Sequence, residues 1–174
     1  VLRSFARGAS VEVRNPAAIR PWQLVLDPLN GYLMLAEQLW SAGAAFAEGW
    51  NFGPRDEDEW PVQDVINRVA KYWGDDAAWH LSAGHHPHEA KYLKLNCTKA
   101  RTRLGWAPRT DLDTALRWTV AWHRGYLRGS DPRNLCRQQI LDFLLMPAMP
   151  SPQGATNGSA GNLEHRVKLA GQCH

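Results

Sequence analysis

Cysteine, long apolar runs and one-sided charge are all scarce in this chain, and each shortage removes a class of protein. The three cysteines, Cys97, Cys136 and Cys173, form no Cys-x-x-Cys pair. They therefore supply neither a disulfide framework nor a cysteine zinc site, and read as free thiols. No apolar stretch approaches the roughly 20 residues that span a bilayer, and no charged, apolar leader opens the chain. No membrane partner is expected, and the cytoplasm is the default compartment. Twenty Lys and Arg against 17 Asp and Glu leave a formal charge of +3, too small and too dispersed to suggest nucleic acid as a partner. The glycines are scattered, so no strand runs into a G-x-x-G-x-x-G turn. Tyr32, Tyr72, Tyr92 and Tyr126 all lack a lysine four residues later, Lys94 being only two beyond Tyr92. The dinucleotide-binding turn and the YxxxK acid/base pair are thus both missing from this sequence. No internal repeat is visible.

What is present is concentrated in RNPAAIRPWQLVLDPLNGYL, Arg14 to Leu33. Val11 to Arg14 alternates like a short strand and stops at Asn15-Pro16, a turn-forming pair. A second extended piece is expected over Arg20 to Val25. Asp27-Pro28 then reads as an N-cap with proline at the first helical position. Leu29, Tyr32, Leu33, Ala36, Leu39 and Trp40 follow at helical spacing, with Gly43 as the stop. Val1 to Ala9 reads as the end of a helix and Phe46 to Phe52 as a buried strand. The acidic run Asp56 to Glu59 reads as a solvated loop before a helix carrying Val62, Val65, Ile66, Val69 and Trp73, closed by Gly74. Asn96 is expected to cap a short helix ending at Gly105, and Thr110 with Asp113 to cap one carrying Leu112, Ala115, Leu116, Thr119 and Trp122. A last helix runs from about Asn134 to Leu145. Nine tryptophans among 174 residues suggest aromatic core or pocket walls.

Two regions divide the chain. Residues 1–146 carry the periodic pattern, whereas 147–174 is small, polar and rich in proline and glycine, with too little apolar surface to offset the entropy of ordering it, and reads as a disordered tail. His80, His85, His86 and His88 crowd into nine residues, but no cysteine pair completes a four-ligand set, so no metal is expected.

The string RNP...RPWQ.VLDPL.GYL resembles the signature of the CDP-glucose 4,6-dehydratases, extended short-chain dehydrogenase/reductases. WNFGP at Trp50, HEA at His88, YLKL at Tyr92, TKA at Thr98, LGWAP at Leu104 and a tryptophan-bearing helix ending near Tyr126 follow in the family's order. The resemblance covers roughly Val1 to Leu145 and only the C-terminal part of such enzymes. LGWxP is shared by sugar-nucleotide epimerases and dehydratases at large; RPWQ after RNP is the specific part. Leu24 stands where the family pattern has histidine, and the first methionine is Met34. The chain is expected to be a C-terminal fragment.

The resemblance implies an α/β fold, the substrate-binding part of an extended short-chain dehydrogenase with an NAD-binding Rossmann unit elsewhere, made here mostly of helices with a few short strands. It implies a lyase in which bound NAD takes hydride from C4 of CDP-glucose, water leaves across C5 and C6, and hydride returns to C6. The product, CDP-4-keto-6-deoxyglucose, implies deoxysugar synthesis for bacterial surface polysaccharide such as lipopolysaccharide. A CDP-sugar is the expected partner, with a homo-oligomer possible in the full-length enzyme. This chain alone is expected to be inactive. Alternatives are another NAD-dependent sugar-nucleotide dehydratase or epimerase, or a non-catalytic binding remnant.

Arg20 is the foremost candidate for substrate contact, because a guanidinium offers a rigid fork of donors to a diphosphate and stays charged at any relevant pH. In the resembled enzymes an arginine after this strand binds diphosphate. Trp22 and Gln23 flank it and are candidates for shaping the nucleotide or sugar pocket. Asn15 belongs to the same motif, although its turn explains it equally well. Glu89 matches a family glutamate that accepts from ribose hydroxyls, and His86 stands where that pattern has arginine. No catalytic, cofactor-binding or metal-ligating residue is assigned within the chain.

Overall fold

A computed structural model describes residues 1–74, 77–84 and 90–147. His86, Glu89 and the tail beyond residue 147 lie outside them. The helices, in chain order, are α1 (Leu2–Phe5), α2 (Leu26–Ala42), α3 (Val62–Trp73), α4 (Thr98–Arg103), α5 (Leu112–Leu127) and α6 (Pro132–Leu145). The strands are β1 (Val11–Val13) and β2 (Trp79–Leu81). Mixed helix with a short parallel sheet is the α/β character expected. β1 pairs with β2 in register Val11↔Trp79, Glu12↔His80 and Val13↔Leu81. Parallel neighbours need a long crossover, and here it runs through α2 and α3.

The main core joins the inward residues of β1, Val11 and Val13, to Phe5, to Val65, Ile66 and Val69 of α3, and to Leu112, Leu116 and Val120 of α5. The stripe at 65, 66 and 69 is the helical period read in the sequence. Gly74, at φ 126°, closes α3. A second core gathers Phe52, Cys97, Ala100, Leu104 and Trp106. Burial raises the Cys97 thiol's pKa, consistent with an inert packing role. Gly125 lets α6 approach α5: a Cβ there would lie 3.0 Å from Leu135 Cδ2. No helix among the described residues is long and apolar enough to cross a membrane.

Several local expectations are corrected. Asp27 does not cap α2. The helix begins at Leu26 after a helical Val25, and the Asp27 carboxylate turns into the core to accept from Arg109 N–H at 2.6 Å and Thr110 Oγ1 at 2.5 Å. A tertiary partner has displaced the local one. Thr110 is thereby committed, and Asp111 caps α5, its Oδ1 accepting from Thr114 N–H at 2.7 Å. Asn96 is one residue early: Cys97 is the N-cap of α4, and Asn96 Oδ1 accepts from Thr98 N–H at 3.0 Å.

Phe46 to Phe52 is not a strand. A 3₁₀ turn over Gly43–Phe46 is followed by a loop in which Phe46 and Trp50 stack with centroids 5.8 Å apart. Residues four apart in a strand would be about 13 Å apart, so the stack and extended structure exclude each other. Residues 20–25 are likewise not extended throughout. Pro21 offers no N–H, and Trp22 N–H bends back to Arg20 O at 2.9 Å. The acidic run forms a 3₁₀ turn over Asp56–Asp58 rather than a wholly solvated loop. Asp58 is buried against Arg55, 3.1 Å away, and Glu59 pairs with Lys94.

Candidate functional site

The RNPAAIRPWQ segment is held on both sides by backbone. Its turn has Ala18 N–H on Asn15 O at 3.2 Å, and it caps α3: Gln63 N–H donates to Pro16 O and Val62 N–H to Ala18 O, each at 2.9 Å. Ile19 then zips against the chain beyond residue 90, donating to Lys91 O at 2.8 Å and accepting from Leu93 N–H at 3.2 Å. Arg20 extends this seam. Its Nη1 donates to Ile19 O and to Ala90 O, both at 2.9 Å, so the guanidinium is oriented by carbonyls at the mouth of the site. Such orientation reduces the entropy lost when a planar fork meets an anion.

Arg20, Asn15 and Trp22 are brought together in one cavity of about 340 Å³, with Arg14 and Glu12 on its rim and Val62 and Ile66 of α3 as its apolar wall. Glu12 accepts from the Ser82 hydroxyl. Two arginines and an exposed indole beside an apolar wall form a surface able to receive phosphate oxygens at one end and a ring at the other.

Gln23 faces elsewhere. It lines, with Trp22, a second cavity of about 260 Å³ between α1, α3 and α5. Gln23 Nε2 donates to Phe52 O at 2.8 Å, which fixes the amide's orientation, and Oε1 is left buried without a donor among the described residues. Trp22 is the partition between the two cavities. His86 and Glu89 fall outside the described residues, although Ala90, bonded to Arg20, follows Glu89 in the chain.

Arg14, which shares Asn15's motif, also lines the Arg20 cavity. The signal was available: with Val11 and Val13 buried, strand alternation turns residue 14 outward, beside the turn that follows. The role of α3 as cavity wall had no such signal, because the same residues satisfy a core pattern. Lys99 lies 2.8 Å from Glu48 Oε2, donates to Gly49 O at 3.0 Å and sits over the Trp50 ring. Among the described residues no group of three or more His, Cys, Asp or Glu is placed to hold a metal ion.

Arginines, an indole and an apolar wall thus share one cavity on an α/β scaffold. No family model matches the chain. The CDP-glucose 4,6-dehydratase of Salmonella typhimurium strain LT2 is 49% identical to it over 144 residues, which is 83% of this chain and 40% of that enzyme. The chain is therefore homologous to a sugar-nucleotide dehydratase and spans about two fifths of that relative's length.

Proposed function

We propose that this chain is the sugar-nucleotide-binding portion of a CDP-glucose 4,6-dehydratase of the extended short-chain dehydrogenase class, acting in the cytoplasm on a CDP-sugar. The observation that carries the reading is the gathering of Arg14, Asn15, Arg20 and Trp22 from the most specific motif around one cavity in a chain 49% identical to such an enzyme. In this reading Arg20, with Arg14 beside it, binds the diphosphate by charge-assisted hydrogen bonds. Trp22 packs against the sugar or base, Asn15 shapes the turn, and Gln23 offers its unsatisfied Oε1 to a donor. By the family motif, Glu89 accepts from the ribose and His86 takes the position of that motif's arginine.

NAD would supply the hydride chemistry in the whole enzyme. The described residues do not fit it: β1 runs into Arg14-Asn15-Pro16 instead of a glycine turn opening a helix, and no Tyr-Lys pair stands at the required spacing. This chain's part in the reaction is to hold the sugar nucleotide in place.

Arg20→Ala, introduced into the complete enzyme, is expected to weaken CDP-glucose binding by about 2 kcal/mol, the scale of one lost charge-assisted contact. NAD affinity should stay unchanged. Isothermal titration showing wild-type sugar-nucleotide affinity would make Arg20 a structural residue and remove the main site assignment.

A further inference from the structure

On the side of α5 turned away from the Trp22 and Gln23 cavity lies a second basic surface. Arg117, Arg124 and Arg128 stand at i, i+7 and i+11, which at about 100° per residue keeps them within about 40° of one another around the helix axis. With Tyr72 of α3 and the small residues Ala121 and Gly125, they line an open cavity of about 450 Å³. No carboxylate is among its described lining residues. The nearby Asp113 is heavily shared: Arg68 lies 3.1 Å and Arg117 3.3 Å from its oxygens, and the Tyr72 hydroxyl donates to it as well. Two guanidiniums, those of Arg68 and Arg117, thus share this one carboxylate.

The three lining arginines are not equivalent. Arg124 is fixed, its Nη1 donating to Trp73 O at 2.9 Å and Tyr72 O at 3.4 Å, the last carbonyls of α3. Arg117 is steadied by Asp113 and by Thr114 Oγ1 at 3.0 Å. Arg128, just past the end of α5, is exposed, and its guanidinium makes no hydrogen bond or ion pair among the described residues, its backbone N–H alone donating to Arg124 O and Gly125 O. The helix dipole favours cations at this end, which accounts for charge at 124 and 128. It does not account for Arg117, near the helix start, lining the same cavity. Two oriented guanidiniums and one with no partner are an arrangement that gains most from an anion with several oxygens.

We propose that this cavity binds a small diphosphate-bearing anion, at a site separate from the Arg20 cavity. The test is isothermal titration of inorganic pyrophosphate, at constant ionic strength, into the full chain carried in place of the matching segment of the Salmonella dehydratase, repeated with Arg128→Glu, Arg128→Lys, Arg117→Gln and Arg20→Ala. Both Arg128 and Arg117 are exposed, so far-UV dichroism should match wild type. Arg128→Glu should weaken binding by at least about tenfold and Arg117→Gln by several-fold, with Arg128→Lys in between because an ammonium keeps the charge but not the fork. Arg20→Ala should leave this binding event unchanged. No heat beyond an ionic-strength-matched chloride control would overturn the proposal. So would binding that Arg128→Glu leaves intact, or binding that only Arg20→Ala removes.

Discussion

Asp27 is where sequence reasoning and folded structure part most sharply at the level of one residue. Asp before Pro at a helix start reads as a cap, but local pattern cannot show that Arg109 and Thr110, about eighty residues on, offer donors to the same carboxylate. Burial raises the Asp27 pKa above its ordinary value despite hydrogen bonds from Thr110 and Arg109 that act the other way. An acid raised on folding contributes stability that is complete below its unfolded value and is lost as pH rises through the folded one. The stability of wild type relative to Asp27→Asn, from urea denaturation, should therefore fall as pH is raised from about 4 to about 7. A relative stability that climbs over this range would reverse the assignment. Asp27→Ala, which leaves both donors without their acceptor, should cost about 3 kcal/mol. Arg20 lines a cavity, and its motif, its charge and its position after a turn all support the substrate contact proposed for it.

Among the elements, α3 and α5 were readable because each carries an apolar stripe at helical spacing, buried at Val65, Ile66 and Val69 in α3 and at Leu112, Ala115 and Leu116 in α5. The stretch from Phe46 to Phe52 was not, because aromatic residues separated by small ones satisfy a strand pattern equally well. What decided it was Phe46 stacking on Trp50 and the demand of Phe52 for a place beside α2. Gly31 provides that place: a Cβ there would lie 2.4 Å from Phe52 Cδ1. Phe52 cannot easily yield, since its ring is set edge-on to Trp106 at 5.0 Å and Tyr32 at 5.4 Å. Gly31→Ala would normally stabilise a helix interior by about 1 kcal/mol, but overpacking typically costs about 1–3 kcal/mol. The clash should prevail, lowering the thermal midpoint and unfolding free energy. A variant as stable as wild type or more so would show that Phe52 has room to move.

For the whole molecule, the α/β character was foreseen, while the apolar surface left uncovered appears only once the elements are packed. Along α2, Leu29 and Leu33 are exposed and Trp40 is 94% exposed, one apolar stripe without a partner among the described residues. The sheet has two strands, fewer than an isolated sheet needs for stability. At about 25 cal/mol per Å², leaving a few hundred Å² of apolar area uncovered forfeits several kcal/mol, comparable to the net stability of a domain. Purified alone, the chain should bind the dye ANS and unfold without a sharp transition. A cooperative melt with no dye binding would mark a self-sufficient binding module.

In the proposed function this chain supplies the sugar-nucleotide site of a dehydratase, and the hydride chemistry lies outside the described residues. The most direct measurement is formation of the 4-keto product from CDP-glucose by the chain alone and by a chimera in which it replaces the matching 144-residue segment of the Salmonella enzyme. The account predicts no product from the chain alone, product from the chimera, and a raised KM for CDP-glucose when the chimera carries Arg20→Ala. Turnover by the chain alone, or a folded, NAD-binding chimera that neither binds nor converts CDP-glucose, would contradict it.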